Sequence, residues 1–64
     1  MNYKFRLEGI ISIGESGKLS FNLNVYSADM KKEYGMLIVK EGELVKAFGK
    51  AKEVWPCVRE AFHL

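Results

Sequence analysis

Two stretches of strict period-two alternation flank a glycine-bounded turn, and they leave this chain few folds to choose from. From Tyr3 to Ile13 the odd positions read Tyr3, Phe5, Leu7, Gly9, Ile11 and Ile13, and the even ones Lys4, Arg6, Glu8, Ile10 and Ser12. From Lys18 onward the odd positions read Leu19, Phe21, Leu23 and Val25, and the even ones Lys18, Ser20, Asn22, Asn24 and Tyr26. This period marks strands with one buried and one wet face. Opposed residues of an antiparallel pair share a face, so odd positions must meet odd positions. A loop of Glu15, Ser16 and Gly17 satisfies that parity and puts Gly17 at the left-handed position of a type I turn plus bulge. The predicted pairs are Ile13 with Leu19, Ile11 with Phe21, Gly9 with Leu23, and Leu7 with Val25.

The segment from Ser27 to Gly35 reads as one or two helical turns or a structured loop, since serine can cap a helix start and glycine can close one. Met36 to Val39 is an apolar run of strand length with little alternation, which suits a central strand or one buried on both faces. Lys40-Glu41-Gly42 repeats the turn chemistry. A two-residue turn would force Glu41 into the left-handed region, so three loop residues are expected, with Glu43 to Phe48 returning as a fourth strand. The period then changes. Ala51, Val54, Trp55, Val58, Ala61 and Phe62 recur at three- and four-residue steps, the pattern of an amphipathic helix. Pro56 is tolerated in a first turn, which sets the start near Glu53 or Val54 and the end near Phe62. A continuous helix from Glu43 also fits the apolar spacing, but it would hold Gly49 and Pro56 in its interior at a cost of about 1 and 3 kcal/mol.

The expected fold is therefore α+β. A four-stranded antiparallel sheet of two hairpins is packed by a C-terminal helix, in the order β-β-(short α or loop)-β-β-α, as a single domain over residues 1–64. Trp55 and Phe62 are expected against Phe5, Leu7, Phe21 and Leu23.

Composition narrows the chemistry. At 64 residues the core is marginal, and small chains often add a disulfide, a metal or a second copy of themselves. Cys57 is the only cysteine and His63 the only histidine. That rules out an intrachain disulfide and a thiol-rich zinc site, and leaves a homodimer as the expected device. A net charge of +2 is too weak to imply nucleic acid by itself. No apolar run approaches the roughly 20 residues of a membrane span. The start of the chain lacks the apolar region of a signal peptide, and a lone thiol suits a reducing cytoplasm.

No catalytic constellation emerges. Cys57 and His63 lie about 9 Å apart along a helix axis and about 120° apart around it, too far for a dyad. Cys57 reads as a small packing residue and His63 as a solvated one. Glu15, Glu41 and Glu43 sit in turns, where carboxylates are solvated. Gly14-Glu15-Ser16-Gly17-Lys18 joins two strands, unlike a phosphate loop, which opens a helix. No cofactor or metal is expected.

What remains is surface. The wet hairpin face presents Lys4, Arg6, Lys18, Asn22, Asn24 and Tyr26, interrupted by Glu8, and a second basic strip joins Lys46, Lys50, Lys52 and Arg59. The leading expectation is a non-catalytic protein-interaction module, a regulator or inhibitor of the kind phages and mobile elements carry, acting through a sheet face or edge. The alternative is a single-stranded DNA or RNA binder. Cations for phosphates and a ring for stacking are its ingredients, and its element order is shared with some single-strand-binding folds, an analogy of fold alone.

Overall fold

The computed structural model describes residues 3–64. Four strands, β1 (Tyr3–Ile13), β2 (Leu19–Ser27), β3 (Glu33–Lys40) and β4 (Glu43–Gly49), form one antiparallel sheet in sequential order. A 3-10 turn over Ala51–Val54 leads into helix α1 (Trp55–Ala61), with Pro56 in its first turn. The α+β layout matches the sequence-based reading, and the strand at Glu43 rules out the continuous-helix alternative.

The first turn forms as the parity argument requires. Ile13 pairs with Leu19, Gly17 N–H donates to Gly14 C=O at 3.0 Å, and Gly17 has φ 79°. The register then departs from the simple ladder. Glu8 pairs with Asn22 and Ser12 with Ser20, so Gly9, Ile10 and Ile11 all lie opposite Phe21. The predicted pairs Gly9–Leu23 and Leu7–Val25 are replaced by Leu7–Leu23 and Phe5–Val25, and Ile11 shares Phe21 with Gly9 and Ile10. Gly9, at φ 75°, supplies the left-handed residue around which such a bulge forms. Because β1 gains two residues, odd positions stay on the core side.

No helix forms between Ser27 and Gly35; the connection is a loop tied by side chains. Lys32 N–H donates to Ser27 Oγ at 3.0 Å, Ser27 N–H donates to Lys32 C=O at 2.8 Å, and Lys31 N–H donates to Asp29 Oδ1 at 3.0 Å. Serine and aspartate compete for backbone donors in this way, which is why they favour turns over helix interiors. Gly35, expected to close a helix, lies inside β3 opposite Gly49. At φ 145°, any Cβ there would run into the Phe48 carbonyl.

The second hairpin corrects the turn length. Lys40 pairs with Glu43, so the turn has two residues, and Glu41 accepts φ 49° beside Gly42 at φ 77°. These two positive values define the turn whose twist suits a hairpin. The left-handed cost at Glu41 is accepted, helped by its N–H donating to Ser20 Oγ at 2.9 Å. A bulge at Val45 then restores facing, so that Leu44 and Ala47 look toward the core.

The core is Phe21, Leu23, Val25, Leu37, Val39, Ala51, Val54 and Val58. It is built from β2, β3 and the tail. Phe62 packs on Phe21 with ring centroids 5.0 Å apart and ring planes tilted by 51°, as expected. Phe5 and Leu7 do not join it: they remain 42% and 40% exposed. The tail is too short to reach over the outermost strand. Trp55 is half-buried against the core edge, and Cys57, read as a packing residue, is exposed.

Two outcomes test these features. Gly35→Ala should cost about 3 kcal/mol or more, because strand and carbonyl must separate, whereas Glu41→Asn should add about 0.5–1 kcal/mol by relieving the left-handed strain; urea unfolding measures both. Asp29 provides a pH test. The Ser27 hydroxyl, and next the Lys31 amide, hold its carboxyl below the usual aspartate range. A pKa lowered by folding means the ionised form supports the fold above the ordinary value of about 4, and that support fades as pH drops through the lowered value. Thermal melts of wild type and Asp29→Asn should therefore differ at neutral pH and converge in acid.

Candidate interaction surface

The sheet has two faces, and the tail covers only part of one. On the tail side, β1 presents Phe5 and Leu7, then Ile11 at 42% exposure and Ile13 at 70%. Four large apolar side chains thus line one flank of an edge strand. They exist because the sequence alternates for burial, and they stay exposed because α1, only seven residues long, lies elsewhere. Among the described residues β1 pairs with β2 alone, so from Lys4 to Ile13 its outer edge offers free backbone donors and acceptors.

The opposite face is open along all four strands, and the ladder assembles it in rows. Arg6 lies across from Asn24, Asn24 from Met36, and Met36 from Phe48. The next row runs Glu8, Asn22, Ile38 and Lys46. Lys4 is across from Tyr26. Five of the six expected site residues therefore share this face: Lys4, Arg6, Asn22, Asn24 and Tyr26. Lys18 does not join them. It lies at the turn end of the sheet, with its side-chain carbons beside Gly42, in a recess shared with Glu43, Leu44, Trp55 and Leu64.

Two interactions set the electrostatics of the open face. Asn24 Nδ2 donates to Glu8 Oε1 at 2.7 Å, so one amide and one carboxylate oxygen are already engaged. Lys46 Nζ lies 5.0 Å from the centroid of the Phe48 ring, a cation–π distance. A shallow groove runs past Glu8, Ile10, Asn22 and Ile38, and Ile10 is 90% exposed.

Four residues of this face were missing from the sequence reading: Met36, Ile38, Lys46 and Phe48. Met36 and Ile38 were recoverable, since Leu37 and Val39 on the core side force their neighbours outward. Phe48 and Lys46 were not, because the Val45 bulge reverses the facing set by Leu44. The basic strip Lys46–Lys50–Lys52 is divided accordingly, with Lys46 on the sheet face and Lys52 in the 3-10 turn.

Glu41 and Glu43 are exposed at a turn, and Cys57 and His63 are exposed on and just beyond α1. Among the described residues no three His, Cys, Asp or Glu side chains gather to hold a metal ion, and no helix is long and apolar enough to cross a membrane. Comparison with protein-family models, curated proteins and solved structures finds no match to this chain.

The apolar flank of β1 should be dispensable for the isolated fold. Ile13→Ser is expected to shift unfolding free energy by less than about 0.5 kcal/mol, while Val58→Ala should cost about 2–3 kcal/mol. Equal losses at Ile13 and Val58 would place β1's flank inside the core.

Proposed function

We propose that this chain is a small non-catalytic protein-binding module, a regulator or inhibitor that docks its partner on β1. The observation that carries this reading is the coincidence, on one edge strand, of unpaired backbone and an exposed row of Phe5, Leu7, Ile11 and Ile13. Strand addition uses both features. Backbone hydrogen bonds supply affinity, and alternate side chains supply specificity. Folded domains generally protect such an edge by shortness, charge, proline or a bulge; β1 is eleven residues long without proline, and its charges lie on the open face. An apolar row beside free backbone is instead what a docking strand needs. The occupant is a strand-presenting polypeptide, either a second copy of the chain or another protein. The exposed lone thiol of Cys57 suits a reducing compartment such as the cytoplasm.

A second reading has its own support. Phe48 and Tyr26 stand on the open face with Lys4, Arg6 and Lys46, which is the combination of rings and cations that single-stranded DNA or RNA uses. Against it, Glu8 lies among the cations and Lys18 lies apart.

One experiment separates the readings. Tagged chain is incubated with lysate of the native host, with and without nuclease, and captured proteins are identified. The docking reading expects a defined protein that survives nuclease and is lost in Leu7→Lys, with the variant's fold checked by thermal melt. Capture that vanishes with nuclease, falls in Tyr26→Ala and Phe48→Ala, and ignores Leu7→Lys would transfer the function to the open face.

A further inference from the structure

Resting on the reading of β1 as a docking strand, we infer that its occupant is a second copy of this chain, paired antiparallel about a twofold axis through Leu7. Two-chain closure of this kind is the commonest symmetry of soluble oligomers, and it demands that one surface complement itself. The β1 edge meets that demand in one register.

Only registers that keep odd opposite odd leave apolar side chains on the core side of both copies. Axes centred on Lys4, Phe5, Arg6, Leu7 and Glu8 all meet this condition in the stretch before the bulge. An axis at Phe5 sets Lys4 opposite Arg6 of the second copy, twice, and like charges directly opposed destabilise a pair. An axis at Lys4, Arg6 or Glu8 sets that charged side chain against its own copy. An axis at Leu7 sets Arg6 opposite Glu8 of the second copy, and Glu8 opposite its Arg6. It also brings the two Leu7 side chains together and lays Phe5 over the bare backbone of the second copy's Gly9, where no side chain competes for space. Arg6 and Glu8 are both exposed, and the bond from Asn24 occupies only one oxygen of Glu8. Charge complementarity thus selects one axis from the five.

The bulge of β1 fits the same arrangement. Gly9, Ile10 and Ile11 bow the strand opposite Phe21, and a bulge turns an edge away from a straight ladder. In the Leu7-centred pair, the ladder from Phe5 to Gly9 ends where each copy bows. The product is one eight-stranded sheet, twice the four of a single copy.

The test is sedimentation velocity of the full chain from low to high micromolar concentration, alongside four charge variants. Wild type should dimerise. R6E, which opposes two glutamates at each site, should raise the dissociation constant about tenfold or more, as should E8R. The double variant R6E/E8R should return to within about threefold of wild type, because the swapped charges again match. K4E should leave the dimer unchanged, since Lys4 faces Ile10 of the second copy in this register; an Arg6-centred pair, which sets Lys4 against Glu8, would instead weaken. Thermal melts confirm that each variant folds. A dimer indifferent to R6E, or unrestored by the double swap, overturns the register. A wild-type chain that stays monomeric at the highest concentration overturns self-pairing. In that case, capture of an identified protein that is lost in Leu7→Lys would show that β1 docks a different chain, while no dependence on Leu7 would remove the docking reading as well.

Discussion

The fold turns on a mismatch between the width of the sheet and the reach of the segment that covers it. Strands lie about 4.8 Å apart, so four of them span roughly 15 Å between outer axes before side chains are added. A seven-residue helix is about 10 Å long and about 10 Å across. However it lies, it shields two or three strands. Val58 and Phe62 on the tail spend that cover on β2 and β3, where Phe21, Leu23, Val25, Leu37 and Val39 are buried. The residue pattern of β1 is just as apolar as that of β2, yet β1 receives no lid. An exposed apolar edge is therefore a consequence of length and geometry, and the surface that most invites a partner is the one the chain could not cover by itself.

Much of this was legible in the residues. Alternation in Tyr3 to Val25 defines the first hairpin, its core face and its turn, because a parity argument has only one solution for Glu15-Ser16-Gly17. The switch of period at Ala51 marks the helical tail, and Pro56 marks its first turn. What stayed hidden was whatever a bulge decides. Ile10 interrupts the polar side of β1, and Gly9 interrupts its apolar side; together they show that the alternation is imperfect, but not that two residues are inserted. Val45 carries no local signal at all. The two-residue turn at Glu41 was rejected on a local strain that the sheet outweighs, since Ser20 on β2 holds the Glu41 amide. Tertiary bonds of this kind have no trace in a propensity argument.

The candidate site shows the same division. Lys4, Arg6, Asn22, Asn24 and Tyr26 share a face because they belong to the legible hairpin. Lys18 leaves it because it closes the turn one residue before β2 begins, with its side-chain carbons beside Gly42. Phe48 and Lys46 enter because of the Val45 bulge. Glu8 offsets part of the charge of Lys4, Arg6 and Lys46 on the open face, so a polyanion would meet a carboxylate among the cations. That weakens the nucleic-acid reading more than the added rings strengthen it, because the backbone term dominates nucleic-acid affinity and scales with unopposed positive charge.

The same Glu8 has the opposite effect at the edge of the sheet. In isolation, Lys4, Arg6 and Glu8 form an exposed row in which the carboxylate spoils a cationic patch. Against an inverted copy of the row, it supplies the one partner that Arg6 needs. A residue that counts against one function is thus required by another, and the difference lies in whether β1 is treated as part of a face or as a strand with an empty side. A small domain has few ways to gain buried surface. With one cysteine and one histidine in 64 residues, an intrachain disulfide and a thiol-rich zinc site are closed to it. Strand-to-strand association brings apolar Leu7 against Leu7, leaves the buried core undisturbed, and uses backbone groups that the monomer leaves to water. The constraint that exposed β1 in the first place, a tail too short for four strands, is the one that association about Leu7 turns to use.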